Sequence, residues 1–136
     1  MKTFAFRLLP NQDLKKELIK VVEKNKIKAG VILTCVGSLK KTNIRLADEK
    51  EKEFKGLFEI VSLVGTLCKD GCHLHISLSD KKGNTIGGHL KDNCIIHTTA
   101  EIVILDLDKT FKREFDKKTG FKGPTGRFNK LPSRIR

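Results

Sequence analysis

Short segments rich in aliphatic and β-branched residues, separated by glycines and charged loops, constrain the fold of this chain most strongly. Such runs, bounded by turn-forming residues, are typical of β-strands. We predict strands at residues 3–9, 30–37, 38–47, 58–67, 73–79, 85–90 and 99–107. Segment 30–37 is uniformly apolar between two glycines, which predicts a strand buried on both faces. Residues 48–55 mix acidic and basic side chains without an apolar period, which predicts a solvated loop.

Only one segment, residues 11–27, has the apolar period of an amphipathic helix. Asn11 or Asp13 can cap it, and Leu14, Leu18 and Val22 recur on one face. One helix among six or seven strands with mostly short connections favours an α+β fold. We therefore expect a central, largely antiparallel β-sheet packed against one main helix.

The size and composition limit the class of protein. A chain of 136 residues with 38% apolar and 32% charged side chains fits one globular domain. Its uncharged stretches fall well short of the roughly 20 apolar residues needed to cross a bilayer, so we expect no membrane contact. The four cysteines are dispersed without a recognisable signal peptide, which favours free thiols and a cytoplasmic protein. Cys68 and Cys72 form a C-x3-C pair, which we interpret as flanking a turn.

Positive charge is concentrated near the C-terminus. The formal net charge is +12. Residues 1–108 carry 18 basic and 14 acidic side chains, whereas residues 109–136 carry 10 basic and 2 acidic side chains. We divide the chain into a domain at 1–121 and a basic tail at 122–136. A solvated tail that keeps the protein soluble is one interpretation, and non-specific contact with nucleic-acid phosphates is the other. The candidate nucleic-acid-binding residues are Lys122, Arg127, Lys130, Arg134 and Arg136.

Three histidines could converge on one metal ion. In a strand His73 and His75 point to the same side, opposite to Leu74 and Ile76. If the turn at residues 80–84 pairs residue 79 with residue 85, His89 lies directly opposite His75. Three imidazoles at this spacing can bind zinc or a similar divalent ion. The alternative is a solvated H-x-H pair with His89 turned away by a one-residue change of register.

Other catalytic signatures are absent from the sequence. It contains no G-x-S-x-G nucleophile motif, no G-x-x-x-x-G-K-[ST] phosphate-binding loop and no G-x-G-x-x-G dinucleotide motif. These absences leave hydrolase, nucleotide-triphosphatase and dinucleotide-binding functions without support.

Four segments together resemble one known family. AGVILTCVGSL (29–39), GLFEIVSLVGTL (56–67), HLHISLSDKKGNTIGGHL (73–90) and TTAEIVILDL (98–107) are similar to the plants-and-prokaryotes conserved domain, called PPC or PCC. The stand-alone prokaryotic members are often called DNA-binding. The resemblance implies a compact homotrimer and makes the H-x-H and G-G-H elements plausible metal ligands.

In plant members the G-R-F-E-I segment is a partner-contact surface, and the resemblance carries this role to Gly56, Phe58, Glu59 and Ile60. Leu57 stands where that motif has arginine, and no R-G-R-P minor-groove element occurs in the chain. We therefore expect a trimeric DNA-associated or regulatory module with a three-histidine metal site. The DNA-binding interpretation would make it nuclear or nucleoid-associated. The alternative is a zinc-dependent enzyme or small-molecule-binding protein that uses the same histidines.

Overall fold

The structure is a computed structural model that describes residues 1–126. The described part contains one helix and eight strands, which confirms the predicted α+β class. The strands are β1 (Lys2–Leu8), β2 (Gly30–Arg45), β3 (Glu51–Cys68), β4 (Gly71–Ser79), β5 (Thr85–Leu90), β6 (Ile95–Asp106), β7 (Phe111–Asp116) and β8 (Phe121–Gly126). The helix is α1 (Leu14–Asn25).

Six strands form one sheet in the order β1-β6-β2-β3-β4-β5, and all of its strand pairs are antiparallel. The far edge strand β5 also pairs with the end of β2, where Ile44 lies opposite Leu90 and Arg45 opposite His89. The sheet therefore curls back on itself at this end. Strands β7 and β8 form a separate hairpin.

Helix α1 begins and ends with local hydrogen bonds that sequence rules anticipate. The Asp13 side chain accepts a hydrogen bond from the Lys16 amide, and Lys26 takes the left-handed conformation at the C-cap. Leu14, Leu18 and Val22 are buried against the core of the sheet. The helix therefore covers one face of the sheet.

The opposite face of the sheet is open in the single chain. Leu33, Val36, Val61 and Val64 are each exposed by more than half. The prediction that residues 30–37 are buried on both faces is therefore wrong for the isolated chain. The physical reason is that one helix covers only one side of a six-stranded sheet.

Three further details correct the predicted elements. Residues 30–37 and 38–47 belong to one long strand, β2, and are not neighbours. The predicted loop at 48–55 is mostly strand, because β3 begins at Glu51. The sequence did not indicate the hairpin of β7 and β8. Within the described range, no helix is both long enough and apolar enough to span a bilayer.

Candidate metal centre

The turn between β4 and β5 fixes the register of the hairpin. One carboxylate oxygen of Asp80, Oδ1, accepts hydrogen bonds from the amides of Lys82 at 2.8 Å and Asn84 at 2.9 Å. This side-chain bonding to the backbone is typical of Asp in tight turns. The register pairs Ser79 with Thr85 and His75 with His89, which confirms the predicted pairing.

Two glycines allow the neighbouring strands to approach the histidines closely. A Cβ atom on Gly65, whose φ is +140°, would lie 1.9 Å from the carbonyl oxygen of His73. A Cβ atom on Gly88 would lie 2.7 Å from the carbonyl oxygen of Arg45. Because real Cβ atoms do not reach such distances, both positions require glycine for this packing.

The structure brings the three predicted histidines together. Nε2 of His73 lies 3.2 Å from Nε2 of His75, and the three ring centroids are 5.0 to 5.6 Å apart. One ligand nitrogen from each ring lies within 4.8 Å of the other two. Two nitrogens bound to one tetrahedral zinc ion at 2.0–2.1 Å are separated by about 3.3 Å, close to the His73–His75 distance.

Burial and nearby cations lower the pKa of two of the three histidines, His73 and His89. Burial, followed by the positive charge of Arg45, lowers the pKa of His89 from its ordinary 6.5 to about 4. Burial, followed by Arg113, lowers the pKa of His73 as well. Neutral imidazole is the form that binds metals. His89 Nδ1 is buried and has no hydrogen-bond partner among residues 1–126, so a lone pair or N–H is left unsatisfied there.

Histidines of the cluster line two open cavities, whose other lining residues include side chains that the sequence did not indicate. The cavity of about 270 Å³ is lined by Val64, Gly65, Thr66, His73, His75, Arg113 and Pro124. The cavity of about 380 Å³ is lined by Arg45, Leu46, Ala47, Glu49, His75, Gly87, Gly88, His89 and Phe121. Arg45 and Arg113 reach the histidines from β2 and β7, and no local sequence pattern connects such distant positions.

The other predicted site residues in the described range are not members of the histidine cluster. Phe58 and Ile60 are buried in the core, whereas Gly56 and Glu59 are exposed on β3. Lys122 is exposed on β8, and its carbonyl oxygen accepts a hydrogen bond from Arg113 Nη2 at 2.7 Å. The remaining nucleic-acid candidates, Arg127, Lys130, Arg134 and Arg136, lie outside the described residues.

Solved structures share this fold over nearly its whole length. A hypothetical protein from Salmonella enterica is 36% identical, with a TM-score of 0.87 over 93% of this chain and 94% of its own. The metal-containing protein AF0104 from Archaeoglobus fulgidus is 29% identical, with a TM-score of 0.80 over 93% and 94%. A protein from Bacteroides thetaiotaomicron named as a candidate DNA-binding protein is 20% identical, with a TM-score of 0.82 over 90% and 91%.

Two curated relatives contain a segment similar to this chain within a much longer protein. Two Synechococcus proteins named bifunctional protein GlmU are 45% and 43% identical to this chain over 123 residues, which is 89% of its length. The chain spans about a fifth of the length of these curated relatives. The model of the Plants and Prokaryotes Conserved (PCC) domain matches residues 1–108. The chain belongs to the PCC domain family.

Proposed function

We propose that this protein is a trimeric DNA-associated or regulatory binding module with a zinc-type metal ion on His73, His75 and His89. The observation that carries the proposal is the convergence of three imidazoles on one sheet face. Three protein ligands are typical of zinc sites that keep a position open for water or another molecule. The metal-containing relative from Archaeoglobus fulgidus also supports a metal in this fold.

Single histidine substitutions test the metal site. We expect His75→Ala and His89→Ala to lose nearly all bound zinc, because two imidazoles leave the ion with half of its tetrahedral ligands. His97→Ala is the matched control, since His97 lies on β6 outside the cluster and contacts Thr98. Metal analysis of the dialysed proteins checks this. Unchanged zinc content in the two cluster variants would contradict the assignment.

The open sheet face supports the trimer. Val64 pairs with His75, so this exposed apolar side chain and the histidine occupy the same face. Exposed apolar patches of this kind on a sheet commonly mark protein contacts. Burial of this face between three copies would explain why β2 contains side chains such as Leu33 and Val36.

The DNA association rests on charge and on the fold. The candidate DNA-binding protein from Bacteroides thetaiotaomicron shares the fold, and residues 109–136 carry a formal charge of +8. Lysine and arginine in such a segment can neutralise phosphates without reading base edges. We therefore propose non-specific binding through the five basic side chains Lys122, Arg127, Lys130, Arg134 and Arg136.

Neutralising the end of the chain tests this binding. Changing Arg127, Lys130, Arg134 and Arg136 to Gln leaves β8 and its pairing with β7 in place. The parent should show a log–log salt slope of at most about −4 to −5 per chain, and the variant should lose about 3 to 4 of this slope. Fluorescence anisotropy on a labelled duplex measures both. Equal salt slopes in the parent and the variant would show that the DNA contacts the folded domain and not these four side chains.

A second function, as a zinc-dependent enzyme or small-molecule-binding protein, is favoured by the two cavities beside the histidines. Three protein ligands leave zinc a position where it can polarise a bound oxygen. Absence of DNA affinity in both the parent and the neutralised protein would favour this function.

A further inference from the structure

We infer that the histidine cluster takes a small oxyanion, a carboxylate or phosphate group, held against the metal by Arg45 and Arg113. This inference rests on the proposed metal site and names the class of ligand that completes it. The three histidines line two solvent-accessible cavities, and a metal ion held by three protein ligands would keep a position for a further ligand. Each cavity contributes one arginine.

Arg113 stands beside His73 and His75. It is half-buried on β7 and lines the cavity of about 270 Å³ together with both histidines. Its Nη2 donates to the carbonyl oxygen of Lys122 at 2.7 Å, which positions the guanidinium group and uses one of its five N–H donors. No carboxylate within the described part of the chain forms an ion pair with it.

Arg45 lines the second cavity, together with His89. The two residues lie directly opposite each other where β2 pairs with β5. The guanidinium carbon of Arg45 lies 4.7 Å from the centre of the Phe121 ring, a cation–π contact that holds the half-buried side chain. Among residues 1–126, Arg45 also has no acidic partner in an ion pair.

The charge of the site requires an anion. Among the described residues, those that line the two cavities include two arginines and three histidines, and the only acid among these is the exposed Glu49. A divalent ion held by the three histidines would add two positive charges to this site. Arginine binds carboxylate and phosphate groups through planar, often bidentate hydrogen bonds. An oxyanion therefore satisfies both the metal and the arginines.

Cobalt substitution makes ligand binding at the metal visible. Co²⁺ replaces Zn²⁺ in the purified protein, and its visible absorption reports changes in the ligand sphere. We expect inorganic phosphate and acetate, titrated separately at constant ionic strength, to change this spectrum with saturation. Sodium chloride at the same ionic strength is the control for screening.

Arginine variants locate the anion. Arg113→Ala and Arg45→Ala should retain Co²⁺ but weaken phosphate binding by about tenfold to a hundredfold, the range of a hydrogen bond to a charged group. Arg113→Lys should recover part of this loss because it restores the charge without the planar fork. Arg7→Ala is the matched control, because Arg7 lies on β1 at the other end of the strand order.

The outcomes separate the anion site from the metal site. A protein that takes up no Co²⁺ lacks the proposed metal centre, and both proposals fail. If the protein binds Co²⁺ but phosphate and acetate leave its spectrum unchanged, the metal site stands and the anion inference is wrong. The same conclusion follows if the arginine variants bind both anions as tightly as the parent. If only a DNA duplex changes the spectrum, the oxyanion is a backbone phosphate, and the small-ligand inference is wrong.

Discussion

His89 is the side chain on which the candidate metal centre depends most. Its Nδ1 atom is buried without a partner in the described part of the chain, and burial together with the charge of Arg45 disfavours its protonated form. Such an unsatisfied polar atom reduces stability when no ligand compensates it. Burial of His89 lowers the stability of the folded protein, and the same burial disfavours the protonated form that cannot bind a metal.

The lowered pKa of His89 predicts how stability of the metal-free protein changes with pH. Between about pH 6.5 and 4 the unfolded chain binds a proton at this histidine that the folded chain rejects, so the free energy of unfolding falls as pH falls. One group contributes a slope of at most about 1.4 kcal/mol per pH unit. Urea unfolding of the metal-free parent and of His89→Gln should show a weaker pH dependence in the variant. Parallel pH profiles would contradict this assignment.

The candidate site was predictable from the sequence only as far as one hairpin. Asp80 and the alternation of β4 set the register that brings His75 opposite His89, and both signals are local. Arg45 and Arg113 were not predictable, because they reach the site through pairing of distant strands and through the β7–β8 hairpin.

Gly37 explains why the sequence divides β2 into two predicted strands. The sequence predicts that a strand ends at Gly37, but β2 continues through this residue. A Cβ atom there would lie 2.0 Å from the carbonyl oxygen of Thr99, so this glycine marks a close approach of β6 and not a turn. The sequence did not indicate the β7–β8 hairpin, because residues 111–126 are rich in charged side chains and have only weak apolar alternation.

Close packing of β5 against β2 predicts a sensitive glycine at position 88. Gly88→Ala should lower the free energy of unfolding by about 1 to 3 kcal/mol, because the added methyl group meets the Arg45 carbonyl oxygen. Gly123→Ala is the control, since open space surrounds that position. Urea unfolding measures both. Equal stability of the two variants would show that β5 does not pack on β2 in this register.

Across the whole molecule, the two faces of the sheet have different roles. One face buries the core under α1, and the other presents apolar side chains beside the histidines. The family resemblance implied a homotrimer, and the exposed face provides a surface that such an assembly could bury. The sequence indicated apolar strands but not which face lacks cover, because that depends on the path of a single helix.

Substitution on the open face should dissociate the trimer. The parent should have a mass of about 46 kDa, three times the 15.3 kDa chain, and Val61→Asp should shift it toward the single-chain mass. Val61 is 58% exposed on β3, and Leu9→Asp is the control because Leu9 is 49% exposed but lies beyond β1, outside the sheet. Light scattering at micromolar concentration measures both variants. A monomeric parent would contradict the proposed assembly.

Native mass spectrometry of the purified 136-residue chain, after incubation with excess zinc and dialysis, tests the metal centre and the assembly together. The account predicts one particle of about 46 kDa with three zinc ions, one for each set of His73, His75 and His89. The same protein with His75→Ala should carry no zinc. A particle of the parent without zinc would contradict the central claim that this histidine cluster is a metal site.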